Sequence, residues 1–337
     1  MVTVTSYSVA VVMCVITMIC WGSWGNTQKL ASKEWKFQLF YWDYVIGILL
    51  FSLLAAFTAG SAGEGGRGFL ADIAQADAKW LWYPVLSGVI FNLSNILLVI
   101  AIDIAGMAVA FPVGVGLALV LGVITTYLER PEGDPVIMGL GVALVAIAII
   151  IDALAFKRIG ARGATAKGIC VSVAAGVLMG FFFKFLAAAM GEIRAENSVA
   201  VLEASKISPY TAMVFFAVGI LLSNFVFNTL AMKFPLDGSK PVALRDYFSK
   251  GTPKLHFVGM LGGFIWCLGT LLSLISSSAA GPALSYGLGQ GATMVSAFWG
   301  VFIWREFKNA PKGTGGLLAL MFVFFIAGLA ILVCSKL

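Results

Sequence analysis

Ten apolar runs, each about as long as a membrane-spanning helix, divide this 337-residue chain from end to end. Such a helix needs about 20 mostly apolar residues, because the hydrocarbon core of a bilayer offers no water to its backbone. Short stretches rich in Gly, Pro and charged residues separate the runs, as turns do. The pattern predicts an all-α polytopic membrane protein with spans at residues 7–26, 38–59, 80–102, 107–128, 134–156, 167–190, 210–234, 255–277, 281–304 and 313–335.

Composition agrees with lipid as the solvent for this chain. Hydrophobic residues make up 60% of the sequence and charged residues only 11%, whereas a soluble domain carries roughly 25% charged residues. No Lys or Arg precedes the first apolar run, so we expect that run to be a retained span and not a cleavable signal. The net charge of +6 is not interpreted as affinity for nucleic acid, and we expect no nucleic-acid partner.

The distribution of basic residues predicts the orientation of the chain. Loops after the odd-numbered spans hold 15 Lys and Arg residues, and the other side holds 6. Because cytoplasmic loops are enriched in Lys and Arg, we expect both termini to lie outside, in the periplasm or the extracellular space. The predicted location is the plasma membrane, which is the inner membrane of a cell that has two.

An internal repeat becomes visible when the sequence is shifted by 175 residues, which superimposes residues 88–130 on residues 263–305. Glycine recurs at four positions of this overlap. Spans 3 and 4 thus correspond to spans 8 and 9, and we predict two five-helix repeats at residues 1–160 and 161–337. Because five is odd, the halves enter the membrane in opposite senses, as in many alternating-access transporters. A duplicated bundle without transport activity is the alternative.

Polar and aromatic side chains recur at helical spacing inside the predicted spans, where they must face a partner or a cavity. Amides and hydroxyls beside flat rings suit a small neutral polar solute with several hydrogen-bonding edges. A strongly anionic solute would call for clustered Arg residues. Hydrogen bonding between helices is the alternative for each pair. The predicted substrate-binding residues are Trp21, Trp24, Asn26, Asn92, Asn95, Asn224, Asn228, Trp266, Thr270, Tyr286 and Gln290.

Two segments that correspond in the repeat contain helix-weakening residues. Residues 111–116 read FPVGVG and residues 286–291 read YGLGQG. Proline and glycine loosen a helix, and small residues also allow close packing. The sequence leaves both interpretations open, a flexing point or a tight helix contact.

Asp43 is the predicted proton-coupling residue, because a carboxyl group inside a span can bind and release a proton. It lies about two turns into span 2. The alternative is a structural role, in which Asp43 anchors span 1 through Lys29 or Lys33.

Three further ionisable residues lie within or at the ends of predicted spans. Lys184 is grouped with Asp43 as a candidate ionisable site, and it either reaches the membrane surface, binds a partner or points into a cavity. Asp103 ends span 3, and Asp152 lies near the cytoplasmic end of span 5.

No motif in the sequence indicates an enzyme, a cofactor or a metal site. The five cysteines lie in apolar runs without paired spacing, and the single histidine, His256, has no neighbouring ligand in the sequence. The Gly-rich stretch at residues 286–291 lacks the Lys of a nucleotide-binding loop. We therefore expect no cofactor, no metal and no direct use of nucleotide hydrolysis.

Several short motifs resemble those of the drug/metabolite transporter superfamily, in particular its ureide permease branch and the neighbouring bacterial glucose/rhamnose uptake branch. The resemblance extends over essentially the whole chain, and the motif in span 9 is the most specific. These motifs lie at residues 41–44 (YWDY), 92–95 (NLSN), 105–108 (AGMA), 295–300 (VSAFWG) and 305–308 (REFK).

The resemblance implies a ten-helix inverted-repeat fold and secondary-active uptake, often proton-linked, of small neutral polar metabolites. Ureide permeases take up allantoin-like compounds and nucleobases, and the sugar branch takes up monosaccharides. Plant ureide permeases have a long loop between spans 5 and 6, whereas about ten residues separate those spans here, which suggests a compact prokaryotic member. The alternatives are a multidrug or metabolite exporter of the same fold and a membrane enzyme or scaffold.

Overall fold

The computed structural model describes residues 1–32, 34–63, 65–106, 110–159, 165–196, 199–236 and 238–336. Lys33, Met107 and Ala108, named above, lie outside the described residues. The described residues are mostly helical, with one two-stranded hairpin and two π-helical turns. The elements in chain order are α1 Tyr7–Ser23, α2 Gly25–Ala31, α3 Phe37–Phe57, α4 Phe69–Gln75, α5 Ala78–Ala105, π1 Phe111–Val115, α6 Gly116–Glu129, α7 Pro135–Arg158, α8 Ala166–Ala189, β1 Ile193–Glu196, β2 Val199–Leu202, α9 Pro209–Lys233, α10 Arg245–Lys250, α11 Pro253–Ala280, α12 Pro282–Gly289, α13 Ala292–Phe298, π2 Trp299–Ile303 and α14 Thr314–Cys334.

Eight helices in the described part of the chain are long and apolar enough to cross a membrane, with α1 and α2 forming one of them. They coincide with eight of the ten predicted runs, so the prediction of a helical, multi-pass membrane protein is confirmed. The runs at residues 107–128 and 281–304 are also helical where they are described, but neither forms one long α-helix. The described part of the chain therefore has eight candidate spans, and the other two predicted runs are interrupted helical segments.

Both interruptions occur where the sequence has glycines, and the first also contains Pro112. In the first, the π1 turn is followed by α6 from Gly116. In the second, α12 ends at Gly289, α13 begins at Ala292, and Gln290 and Gly291 lie between them. A shift of 175 residues places Gly116 on Gly291, so the two breaks occupy corresponding positions of the repeat.

Helices α5 and α11 also correspond. Each has 28 residues, and both their first and their last residues lie 175 positions apart. Each helix is followed by a glycine with a positive φ, 77° at Gly106 and 87° at Gly281. Only glycine adopts such angles freely, so the chain turns in the same way before each interrupted segment.

Glycines bring the long helices into close contact at two matching crossings. Helix α5 packs on α9, and α11 packs on α3. A Cβ atom added at Gly88 of α5 would overlap the Phe216 carbonyl oxygen of α9, and one added at Gly263 of α11 would overlap the Tyr44 carbonyl oxygen of α3. Small residues of this kind allow helix backbones to approach one another in membranes.

A polar cap that the sequence analysis did not predict joins α4 to the segment around the β hairpin. Strands β1 and β2 pair antiparallel. The Arg67 guanidinium donates to the carbonyl oxygens of Leu202 (2.8 Å), Glu203 (2.8 Å) and Lys206 (2.9 Å), and its Nε lies 3.1 Å from Oδ1 of the buried Asp72. These contacts join residues more than 130 positions apart in the chain, so no local pattern could reveal them.

The glycine crossings make a prediction about stability. We expect Gly263→Ala to lower the melting temperature of the detergent-purified protein, because the new methyl group requires α11 to move away from α3. Overpacking of this kind costs about 1–3 kcal/mol. Gly139→Ala in α7 is the matched control, since no atom lies within 4 Å of its added Cβ. Equal melting temperatures for the two variants would contradict the assigned crossing.

Candidate functional site

A cavity of about 510 Å³ lies at the end of the bundle where α2, α5 and α7 finish. Its lining from α5 begins at Phe91, in the middle of that helix, and continues to Asp103 near its end. Both interrupted segments reach it, the first through Gly114 and Val115 and the second through Gln290. Irregular helix inside a membrane is tolerated where it lines a cavity, so the two breaks and the cavity form one structural unit.

Stacked aromatic rings close the inner end of the cavity. The Trp21 and Trp266 rings stack with centroids 6.4 Å apart, and Phe91 lies 4.5 Å from Trp266 and 5.3 Å from Phe182. Behind them, Phe216 stacks on Trp266 at 6.0 Å and is fully buried. This aromatic layer, made by Trp21, Phe91, Phe182, Phe216 and Trp266, separates the cavity from the far half of the bundle.

Span 1 contributes three of the predicted substrate-binding residues to the wall of the cavity. Trp24 and Asn26 line the cavity together with Trp21. The Asn26 side chain is held in place, because its Oδ1 accepts from Trp304 Nε1 at 2.7 Å and its Nδ2 donates to the Ser23 carbonyl oxygen at 2.9 Å. Span 1 and the end of span 9 are thereby joined along one side of the cavity.

Uncharged polar groups are distributed among the rings. Asn95 Nδ2 lies 3.2 Å from the Tyr41 hydroxyl oxygen, and Ser94 Oγ donates to the Ala175 carbonyl oxygen at 2.7 Å. Amides and hydroxyls offer both donors and acceptors to a ligand. The uncharged polar residues that line the cavity are Asn26, Gln28, Ser32, Ser94, Asn95, Gln290, Thr293 and Ser296.

Charged side chains lie at the mouth of the cavity. Lys29 forms an ion pair with Glu306 and places its Nζ 4.4 Å from the Trp304 ring centroid. Asp103 and Asp152 also contribute to the lining. Among the described residues, no group of three or more His, Cys, Asp or Glu side chains could hold a metal ion.

Three of the predicted binding residues lie outside the cavity, in a buried polar seam between α3, α5 and α9. Asn92 Nδ2 donates to Ser223 Oγ at 2.9 Å, and Asn228 Nδ2 donates to the Gln38 carbonyl oxygen at 2.9 Å. Both polar atoms of the Asn224 side chain are buried and have no hydrogen-bond partner in the described part of the chain. In the conformation observed, these amides are directed at neighbouring helices.

Two other predicted residues support the cavity from behind. Thr270 Oγ1 accepts from Trp21 Nε1 and donates to the main-chain carbonyl oxygen of Trp266, both at 3.0 Å, which ties the Trp21 ring to α11. Tyr286 is fully buried, and its hydroxyl donates to the Ala118 carbonyl oxygen at 3.2 Å. Of the eleven predicted substrate-binding residues, the structure thus brings six to the cavity: Trp21, Trp24, Asn26, Asn95, Trp266 and Gln290.

Asp43 lies outside the cavity lining and forms a buried cluster with His256 and Tyr247. His256 Nδ1 lies 2.9 Å from Asp43 Oδ1, and the Tyr247 hydroxyl donates to the same carboxylate. Burial, together with this carboxylate, raises the pKa of Tyr247, which therefore remains a hydrogen-bond donor. The alternative in which Lys29 anchors Asp43 does not hold in this structure, because Lys29 binds Glu306.

Lys184 also lies outside the cavity lining. Its Nζ is 3.7 Å from Glu129 Oε2, and both side chains are about one-third exposed (37% and 33%). The sequence left open whether Lys184 reaches the membrane surface, binds a partner or points into a cavity. In the structure it binds a partner, Glu129, at the end of α6.

Comparison with known proteins places these features in a family. Ureide permease 1 of Arabidopsis thaliana is 21% identical to this chain over 380 aligned residues, covering 97% of each protein. Ureide permease 4 of the same plant is 32% identical over 133 residues, which are 39% of this chain and 32% of that protein. One solved crystal structure aligns with 97% of this chain and 96% of its own, with a TM-score of 0.56 and 15% identity, and this likeness shows the fold alone.

The sequence model of the ureide permease family matches residues 152–335, more than half of the chain. The predicted resemblance to the ureide permease branch is confirmed, whereas membership of the wider superfamily and the likeness to the sugar branch stay predictions. Members of this family are transporters and not enzymes. Together with the eight apolar helices, the match identifies a multi-pass membrane transporter. The chain belongs to the ureide permease family.

Proposed function

We propose that this protein takes up a small, neutral, polar solute through the cavity by alternating access. The observation that carries the proposal is the cavity itself, in which aromatic faces alternate with uncharged amides and hydroxyls. Its volume of about 510 Å³ falls in the range of small-molecule sites, about 300–1,000 Å³. The relatives are named ureide permeases, and a ureide is our first candidate substrate.

The chemistry of a ureide fits this lining. Allantoin, the probe chosen here, is a compact neutral ring with several N–H donors and carbonyl acceptors on its edges. Asn95 and Gln290 offer donors and acceptors of the same kind, and Trp21 and Trp266 offer flat faces. A nucleobase shares these properties, and a monosaccharide shares the hydrogen-bonding groups but lacks the flat face, so both are the competitors to test.

We further propose ten membrane crossings in two inverted repeats, residues 1–160 and 161–337. The matching lengths of α5 and α11, the matching glycine crossings and the corresponding helix breaks all support this arrangement. Transporters built in this way bind their substrates near the bilayer midplane, between discontinuous helices. In this proposal the two interrupted segments are the fourth and ninth crossings.

The orientation that we propose places both termini outside and the mouth of the cavity in the cytoplasm. The excess of Lys and Arg after the odd-numbered crossings supports this orientation. The observed conformation would then be open to the inside. The aromatic layer and the polar cap around Arg67 would close the outer side, and opening there while the mouth closes would complete the cycle.

Transport of this kind also needs a driving force, and we propose proton-coupled uptake. The buried carboxyl groups of Asp43 in α3 and Asp152 in α7 support this choice, because intramembrane acids commonly relay protons. The multidrug-exporter alternative is not supported by the family match, whose named relatives are permeases.

Loss of a cavity amide should weaken uptake. We expect Asn95→Ala and Gln290→Ala each to reduce uptake of labelled allantoin at limiting concentration by about fivefold or more, since a hydrogen bond is worth about 1 kcal/mol. Unlabelled uracil and glucose are added as competitors to rank the substrates. Asn309→Ala, an exposed amide in a loop, is the control. Wild-type uptake in both cavity variants, at equal surface expression, would contradict the assigned site.

The direction of opening can be tested by thiol labelling. In a variant lacking its native cysteines, we expect Ser296→Cys to react with a membrane-impermeant maleimide in inside-out vesicles and not in right-side-out vesicles. Ser273→Cys is the control, because Ser273 is fully buried among other serines away from the cavity. Labelling of Ser296→Cys only from the outside would overturn the orientation, and failure to label from either side would overturn the open cavity.

A further inference from the structure

Asp152 differs from the other carboxyl groups of the cavity in its surroundings. It lies in α7, is 3% exposed, and contributes to the cavity lining. Its Oδ1 atom is buried and accepts no hydrogen bond within the described part of the chain. An ionised carboxylate held in such a place is unfavourable unless a cation or a proton neutralises it.

Among the described residues of the neighbouring elements, no hydrogen bond or ion pair joins a cation to Asp152. Glu306, which also lines the cavity, interacts with Asp152 as a like charge. Lys29 forms its ion pair with Glu306. Asp103, at the end of α5, adds a second acid to the same lining. The lining that holds Asp152 thus contains two further acids, and Lys29 is paired with one of them.

The helices that pack against α7 add no cation either. Helix α14, its main neighbour, contains no Asp, Glu, Lys, Arg or His. The one acid of α6, Glu129, is paired with Lys184. At the end of α7 itself, the Arg158 guanidinium lies beside Gly313, and Lys157 is exposed.

A proton fits this site better than a metal cation. Calcium ions are bound by several oxygen ligands together, and the described residues contain no group of three or more acidic, His or Cys side chains arranged for a metal. A proton needs a single carboxylate oxygen, such as Asp152 Oδ1. Asp43 differs from Asp152, because its carboxylate lies outside the cavity lining and is hydrogen-bonded by His256 and Tyr247.

We propose that Asp152 is the residue that binds and releases the coupling proton. The inference rests on the proposed function, since it assigns the driving ion to the same cavity. The step is a simple protonation, in which the carboxylate takes up one proton from the outer side and loses it to the cytoplasm when the cavity opens there.

The test uses the purified full-length protein in liposomes, with labelled allantoin as the probe. We expect an inward-directed proton gradient to drive accumulation by the wild type. In Asp152→Asn, accumulation should fall to the level seen without a gradient, while allantoin exchange between the two sides continues and no longer depends on pH. Asp152→Glu should restore gradient-driven accumulation. A parallel measurement with an inward-directed sodium gradient distinguishes proton coupling from sodium coupling.

Each outcome decides the assignment. Gradient-driven accumulation by Asp152→Asn would overturn it, and accumulation driven by sodium in place of protons would overturn the choice of ion. If Asp152→Asn does not fold, Glu306→Gln replaces it. Because this variant removes a negative charge near Asp152, the proposal requires the pH midpoint of allantoin exchange to be lower in the variant than in the wild type. An unchanged midpoint would contradict the proposal.

Failure of the proposed function is distinguishable from failure of this inference. If the wild type exchanges no allantoin, the substrate proposal fails, and the proton site is then tested without a substrate. The fluorescence of the cavity tryptophans, including Trp21 and Trp299, should change with pH in the wild type. That change should be reduced in Asp152→Asn, and an identical titration in both proteins would overturn the site.

Discussion

A helix that breaks inside a bilayer exposes backbone N–H and C=O groups that lipid cannot satisfy. This protein has two irregular helical segments, the π1 turn before Gly116 and the junction at Gln290 and Gly291, and both lie against one cavity. At the junction, the N–H groups of Gln290 and Gly291 donate to carbonyl oxygens of the preceding turn. Eight other helices in the described part of the chain are long and apolar enough to cross a membrane. Irregular helix is tolerated inside a membrane where it lines a cavity. Polar side chains are tolerated in the same place, because they too need a partner other than lipid.

Close helix contacts hold the breaks in position. The crossings at Gly88 and Gly263 bring α5 onto α9 and α11 onto α3. Three of these four helices, α5, α9 and α11, carry Phe91, Phe216 and Trp266 of the aromatic layer that ends the cavity. Thr270 connects the Trp21 ring to the backbone of α11 at Trp266. Packing in the membrane thus shapes the binding surface directly, because a ring that forms a wall of the cavity is also part of a helix contact.

Hydropathy and turn residues were sufficient to locate the eight long helices, because a span in lipid requires a long apolar run whatever its neighbours. The count of ten is not shown, since the interrupted segments do not have the length of a continuous span. The direction of each side chain was less predictable. A nearly uniform apolar helix gives little indication of its rotation about its own axis. For this reason the sequence did not reveal that Asn92, Asn224 and Asn228 lie in a seam between helices.

Contacts between distant parts of the chain were beyond sequence reasoning. The pairing of Asp43 with His256 joins residues 213 positions apart, and the Arg67 cap depends on carbonyl groups, which every residue possesses. Asp152 was recognised as unusual from its place in an apolar run, but only the structure reveals its missing partner. Corresponding glycines were the most informative signal in the sequence, because they mark where backbones approach or turn.

The most direct test of the account is an experimental structure of the protein with allantoin bound. The account predicts density for the ligand between Asn95 and Gln290, with its ring against Trp21 or Trp266, in a cavity bounded by both helix breaks. Density in the seam between α3, α5 and α9, or an empty cavity at a saturating ligand concentration, would contradict it.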